Sequence, residues 1–292
     1  MGSITAQALY PQLLLGLING ASYALLSLGL SIIFGLLNVI NFAHGTLFML
    51  GAFVASSALK YAGVPYWGAL ILAPLVVGIV GVALERTLLH RLYRLDPLYN
   101  LLLTFGLALL IQGLFQLGFG SSGEPYDIPS ALQGSMDVGF MNLPYYRVWV
   151  LAAALVVCLA TWYVTERTRL GSYLRAATEN PGLVQAFGIN VPRMITVTYG
   201  LGVALAGFAG VLAAPIINVN PEMGSELIIV VFAVVVIGGM GSITGSIVTG
   251  FALGLIEGLT KVLYPAASNT VVFALMALVL LIRPAGLFGK AP

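Results

Sequence analysis

Nine apolar runs succeed one another almost without pause, at positions 10–34, 42–59, 67–84, 98–119, 148–164, 195–217, 227–237, 243–263 and 270–282. Most hold the roughly 20 residues that a helix rising about 1.5 Å per residue needs to cross a hydrocarbon core of about 30 Å. The runs at 227–237 and 270–282 are shorter. The pattern predicts an all-α, polytopic transmembrane helical bundle of about eight or nine helices. It forms a single transmembrane domain over 1–292, with an outer loop at about 120–146 and an inner connection at about 167–193.

Two interruptions break the apolar pattern. In "LLNVINFAHGTLFMLGAFVA", residues 36–55, Asn38, Asn41 and His44 precede Gly45 within a stretch otherwise fit for lipid. In "GGMGSITGS", residues 238–246, Gly238, Gly239, Gly241 and Ser242 cluster between two runs. Backbone freed at such a break must be satisfied by protein or by a water-filled cavity, because lipid offers no hydrogen bonds. Both breaks follow an outside-to-inside run and precede an inside-to-outside one, which suggests a parallel repeat and marks these eight residues as candidates for a translocation path or gate. The plainer alternative is that the glycines permit a tight hairpin and close helix packing, and that Asn41 and His44 satisfy local backbone. Gly254 reads as a position inside a continuing helix.

Composition fixes the solvent. Of 292 residues, 60% are hydrophobic and 8% are charged, with a mean hydropathy of +1.03. The first run lacks a basic start and a small-residue cleavage pattern, so it is expected to be retained. Arg86, Arg91 and Arg94 lie in one connection, Arg167, Arg169, Arg175 and Arg193 in another, and Arg283 and Lys290 in the tail. These predict cytoplasmic faces, with the amino terminus outside and the carboxyl terminus inside. The single cysteine, Cys158, sits in an apolar run with no partner for a disulfide or a zinc site.

The inner connection, "ERTRLGSYLRAATENPGLVQAFGINVPR", places Leu174, Ala177, Leu183, Val184 and Phe187 at helical spacing between Gly171 and Gly188. It predicts a short amphipathic helix, or a pair, whose apolar face must rest on another surface. That surface is the bilayer or a groove in a partner protein, and Glu179, Asn180 and Pro181 favour the partner.

Other polar residues read as structural. Glu257 and Lys261 are spaced for an i,i+4 pair. Gln112 and Gln116 share a face expected to hydrogen-bond to neighbouring helices, and Asn19, Ser22 and Ser27 fall in a packing stripe with Gly16 and Gly20. No catalytic set can be drawn, and no G-x-x-x-x-G-K-[ST] phosphate loop is present.

"INFAHG" at 40–45, "LRAATENPGLVQAFGINVPR" at 174–193 and "GGMGSITG" at 238–245 together resemble the LivH-type permease subunit family of branched-chain amino-acid ABC importers. The resemblance covers nearly the whole chain. It implies a non-enzymatic transport subunit of the bacterial cytoplasmic (inner) membrane, moving branched-chain or other neutral amino acids. Its implied partners are a homologous second permease, two cytoplasmic ATPases carrying ATP and magnesium, and an extracytoplasmic substrate-binding protein. No nucleic acid is implied, and no cofactor in this chain. It further implies that Gly171, Leu174, Arg175, Ala176, Ala177, Glu179, Asn180, Phe187 and Gly188 belong to the segment that docks on the ATPase. The general importer pattern is carried by Ala176, Ala177 and Gly188, while Thr178 and Glu179 depart from it. A related importer of urea or a short amide, an ion-coupled secondary transporter and a channel or structural subunit stand as alternatives. The scarcity of intramembrane carboxylates besides Glu257 weighs against ion coupling.

Overall fold

A computed structural model describes residues 6–37, 39–93, 95–268 and 270–289. Asn38, Arg94 and Lys290, all named above, lie outside the described residues. The helices are α1 (Ala6–Leu37), α2 (Ala43–Ala62), α3 (Tyr66–Thr87), α4 (Pro97–Phe119), α5 (Tyr145–Arg167), α6 (Arg169–Glu179), α7 (Pro181–Ala186), α8 (Val191–Ala213), α9 (Met223–Gly238), α10 (Ile243–Leu263) and α11 (Val271–Ile282). Among the described residues, seven are long and apolar enough to cross a membrane, and α9 and α11 are shorter apolar helices. These nine correspond one for one to the nine apolar runs, so the chain is a helical polytopic membrane protein. The strands β1 (Ser135–Asp137) and β2 (Asn142–Pro144) pair antiparallel in the 120–146 loop. At three residues each, they are too short to show as alternation in the sequence.

Helix ends follow local chemistry. Asp96 caps α4 by accepting from the Leu98 N–H at 2.9 Å, with Pro97 in the first turn. Asn180 and Asn190 cap α7 and α8 in the same way.

Contacts divide the chain into two compact units. One comprises 1–27, 128–158 and 230–292, the other 28–127 and 159–229. In the first, the early turns of α1 meet α10 through glycines. A Cβ on Gly254 would stand 2.3 Å from the Gly16 carbonyl oxygen, and one on Gly20 would stand 2.9 Å from that of Gly250. The helices therefore touch backbone to backbone, where dispersion replaces the missing hydrophobic drive. Gly254 thus lies inside a continuing helix, as its setting in the sequence suggests, and in addition packs there against α1 with no room for a Cβ. Tyr23 donates to Glu257 Oε2 at 2.8 Å and Lys261 donates to Oε1 at 2.6 Å, so the i,i+4 pair forms and gains a third member.

In the second unit α8 is the central element, packed on α2 and α3. Ala69, Ala73, Val77, Gly81 and Glu85 form the buried row of α3, one residue per helical turn. Lys60, at the end of α2, pairs with Glu124 at 2.9 Å. Glu124 in turn exchanges both backbone hydrogen bonds with Val219, at 2.9 Å each. Three connections thus share one end of this unit, as strict alternation of the runs requires. Gln112 and Gln116 depart from expectation: neither side chain hydrogen-bonds among the described residues. Their helix, α4, is mostly exposed, with only Asn100 and Thr104 buried.

Candidate functional site

The first break occupies residues 39–42, between α1 and α2, and is enclosed by protein. Asn41 and His44 are buried, at 1% and 0% exposure. Backbone freed there is met by the His44 N–H, which donates to the Asn41 carbonyl at 3.2 Å, and by a hydroxyl from α4. Thr104 Oγ1 accepts from the Phe42 N–H at 3.2 Å and faces the carbonyl oxygens of Ile40 and Leu101, each at 3.2 Å. Asn41 Nδ2 contacts the hydroxyl of Tyr199 on α8 at 3.0 Å. The Oδ1 atom of Asn41 is buried without a hydrogen-bond partner among the described residues, a state that costs about 1–3 kcal/mol in a packed interior. The imidazole of His44 fills the space beside Gly29, where a Cβ would stand 2.9 Å from its Cε1. Gly45 meets Gly224, and a Cβ on Gly45 would lie 2.4 Å from the Gly224 carbonyl oxygen. Helices α1, α4, α8 and α9 therefore all close on this one break.

The second break lies in the other unit. Gly239 and Gly241 turn the chain at φ of +101° and +84°, a left-handed region that side chains resist. Ser242 then caps α10, its hydroxyl accepting from the Gly245 N–H at 3.1 Å. Gly238 and Gly245 face each other so closely that a Cβ on Gly245 would stand 2.1 Å from the Gly238 oxygen. The following tail seals the turn, with Leu287 N–H donating to Ile237 at 2.8 Å and Phe288 N–H to Gly238 at 3.0 Å. The two breaks are thus built differently, the first from polar side chains on several helices, the second from bare backbone.

The inner connection forms the pair α6 and α7. A Cβ on Gly171 would stand 1.7 Å from the Thr165 oxygen, so only glycine fits the turn out of α5, and Arg175 Nη1 donates to that same oxygen at 2.8 Å. Asn180 Oδ1 accepts from the Leu183 N–H at 2.9 Å, and Gly188 leaves α7 at φ +82°. The apolar face divides. Ala177 and Val184 are buried against Val191, Ile189, Met194 and Ile195 of the same chain. Leu183 and Phe187 are exposed, at 56% and 79%; Arg175, Ala176 and Glu179 are exposed and Leu174 is half-buried. A segment expected to lean wholly on another surface therefore anchors half of its face on the base of α8.

Sequence reasoning missed Glu85, which ends the buried row of α3 and is 1% exposed. Its Oε1 accepts from Tyr93 at 2.8 Å and its Oε2 from Thr196 at 2.8 Å. Burial, and then the bond to this carboxylate, holds the Tyr93 hydroxyl well above its ordinary range. Thr196 and Tyr199 lie one turn apart on α8. The same helix thus seats the α6–α7 pair at its start, binds Glu85 in its second turn and meets Asn41 in its third. The signal for Glu85 was an acid among the arginines at a span's end. Tyr199 and Thr104 carried no local signal, being ordinary residues of apolar runs.

Among the described residues, no cluster of His, Cys, Asp and Glu is disposed to hold a metal ion. Residues 12–281 match the family described as branched-chain amino acid transport system / permease component. The chain is 32% identical to the high-affinity branched-chain amino acid transport system permease protein BraD of Pseudomonas aeruginosa, over 96% of this chain and 95% of that one. It is 30% identical to the corresponding permease protein LivH of Escherichia coli, with the same coverage. With LivM of Escherichia coli it shares 28% identity, over 91% of this chain and 67% of the relative. No solved structure gives a significant match.

Proposed function

The chain belongs to the permease-component family of branched-chain amino acid transport systems, and from that premise we propose that it carries branched-chain or other neutral amino acids across the bacterial inner membrane. It is a transport subunit, not an enzyme. In this reading, ATP and magnesium act on two cytoplasmic ATPases, a second, homologous permease completes the pathway, and a binding protein delivers substrate from outside. The carboxyl terminus and the α6–α7 pair face the cytoplasm.

The observation that most supports this reading is the continuity of α8 from Val191, beneath the α6–α7 pair, to Tyr199 at the Asn41 break. A displacement of the pair by an ATPase would pull on the helix that holds the break closed. Leu183 and Phe187 are the docking contacts, and Gly171, Arg175, Ala177, Asn180 and Gly188 shape the hairpin that presents them. Asn41, His44 and Gly45 form the gate in one unit, and Gly238, Gly239, Gly241 and Ser242 a second candidate gate in the other. A zwitterion needs only brief shielding of its two charges here, because fixed intramembrane charges would slow its release. A weakly polar path suits that demand.

Reconstitution tests the reading. Proteoliposomes holding this chain, its second permease and both ATPases should accumulate labelled leucine only with ATP, magnesium and binding protein. Urea uptake in place of leucine would move the substrate class, and accumulation driven by an ion gradient without ATPases would replace the mechanism.

A further inference from the structure

At the end of the second unit that holds the Glu85 network, the last turn of α3 and the first turns of α8 border a cleft of about 330 Å³. It is lined by Glu85, Arg86, His90, Pro192, Arg193 and Thr196. Arg86 and Arg193 occupy distinctive positions. Along α3, the exposed row Ile71, Leu75, Ile79 and Ala83 runs on to Arg86. Along α8, Arg193 heads the exposed row Val197 and Leu201. Both rows are apolar and largely uncovered, with Ile79 at 69% and Val197 at 59% exposure, so each guanidinium terminates a strip fit for acyl chains. Arg86 stands 20 residues (86 − 66) beyond the start of the membrane-spanning stretch Tyr66–Arg91, about 30 Å along a helix rising about 1.5 Å per residue and so about the thickness of a bilayer core.

The charges in the cleft do not cancel one another by contact. Glu85 is engaged by two hydroxyls, and none of the ion pairs among the described residues includes Arg86, Arg193 or Glu85. Two guanidiniums against one carboxylate leave one positive charge, and a phosphodiester carries one negative charge. Arginine forks match phosphate oxygens in pairs, and basic pockets between membrane helices at the cytoplasmic face take lipid headgroups. We infer that this cleft binds the headgroup of an anionic phospholipid, with phosphate between Arg86 and Arg193, the headgroup hydroxyls toward His90, and acyl chains along the exposed rows of α3 and α8.

The site rests on these residues and on membrane insertion alone, so its test needs no transport activity. The detergent-purified full chain is exchanged with phosphatidylglycerol or phosphatidylcholine, and retained lipid is counted by native mass spectrometry. Wild type should hold one phosphatidylglycerol at least tenfold more persistently than phosphatidylcholine. The double substitution Arg86→Gln, Arg193→Gln should abolish that preference, and Arg169→Gln, an exposed arginine outside the cleft, should preserve it. A headgroup-photoreactive phosphatidylglycerol on the wild type, which needs no variant to fold, should label 86–91 and 191–197. Equal retention of the two lipids, unchanged preference in the double variant, loss of preference in Arg169→Gln, or labelling elsewhere alone would each overturn the assignment. Full competition by millimolar inorganic phosphate would also overturn it, because it would show a free-anion site in place of a lipid one.

Discussion

At the first break a threonine from another helix meets backbone that the interrupted helix leaves over. Thr104 bridges Phe42 and Ile40, so these two positions of a polar interruption between two apolar helices meet protein and not lipid. In the proposed reading His44 acts there as a neutral hydrogen-bonding group and carries no proton. His44→Gln, which keeps a donor and an acceptor at similar reach, should retain at least a third of wild-type uptake, and His44→Leu should fall below a tenth. Uptake by wild type should stay flat across pH 5 to 8, where a required proton carrier would impose a titration. Radiolabelled uptake at matched expression reads both. Asn41 and His44 were visible in the sequence because they interrupt apolar runs. Their partners were not, because Tyr199 is 158 positions away and Gly29 differs in no local respect from the other glycines of α1.

Among the elements, the α6–α7 pair shows how an amphipathic pattern can be read correctly and still be assigned too simply. Spacing identified the apolar positions but could not divide them between an inner and an outer side. The division yields opposite outcomes for two substitutions. Phe187→Glu should leave folding intact and abolish co-purification of the ATPase. Ala177→Arg should lower the thermal midpoint of the permease itself, because Ala177 is buried beside Val184 and Val191 and a guanidinium there is desolvated. Size-exclusion and thermal-shift measurements separate the two. A similar reversal applies to the glycines. Gly241→Ala places a side chain at φ +84°, a strain of about 1–3 kcal/mol. Gly254→Ala drives a Cβ to 2.3 Å from the Gly16 oxygen and forces α1 away from α10. Of the two, Gly254→Ala should lower the thermal midpoint more, although it lies in an unbroken helix and Gly241 in a turn.

For the whole molecule, nine apolar runs sufficed to place the nine apolar helices found among the described residues, since the length and hydrophobicity of a membrane span are written locally. What they could not state was which glycine meets which, or that contacts gather the chain into two units built from non-consecutive segments. Those facts depend on pairings between distant positions. The proposed orientation is directly measurable, because Cys158 is the one cysteine and is buried. In a Cys158→Ser background, Lys60→Cys should react with an impermeant maleimide in intact cells. Phe187→Cys should react only after permeabilisation. The reverse labelling would invert the topology.

The bond from Thr104 has a consequence for biogenesis. The hydroxyl that completes the break is synthesised 62 residues after Phe42 and 64 after Ile40. A nascent chain that has delivered α1 and α2 to the insertion machinery but not α4 therefore lacks the hydroxyl that joins these two positions in the folded chain, and lipid supplies no substitute for it. Such an intermediate should linger beside the insertase and leave it only when α4 emerges. Crosslinking of stalled chains should show α2 adjacent to the insertase in chains ending near residue 90. That contact should be lost once Thr104 has cleared the ribosome, and should persist in a full-length Thr104→Val variant.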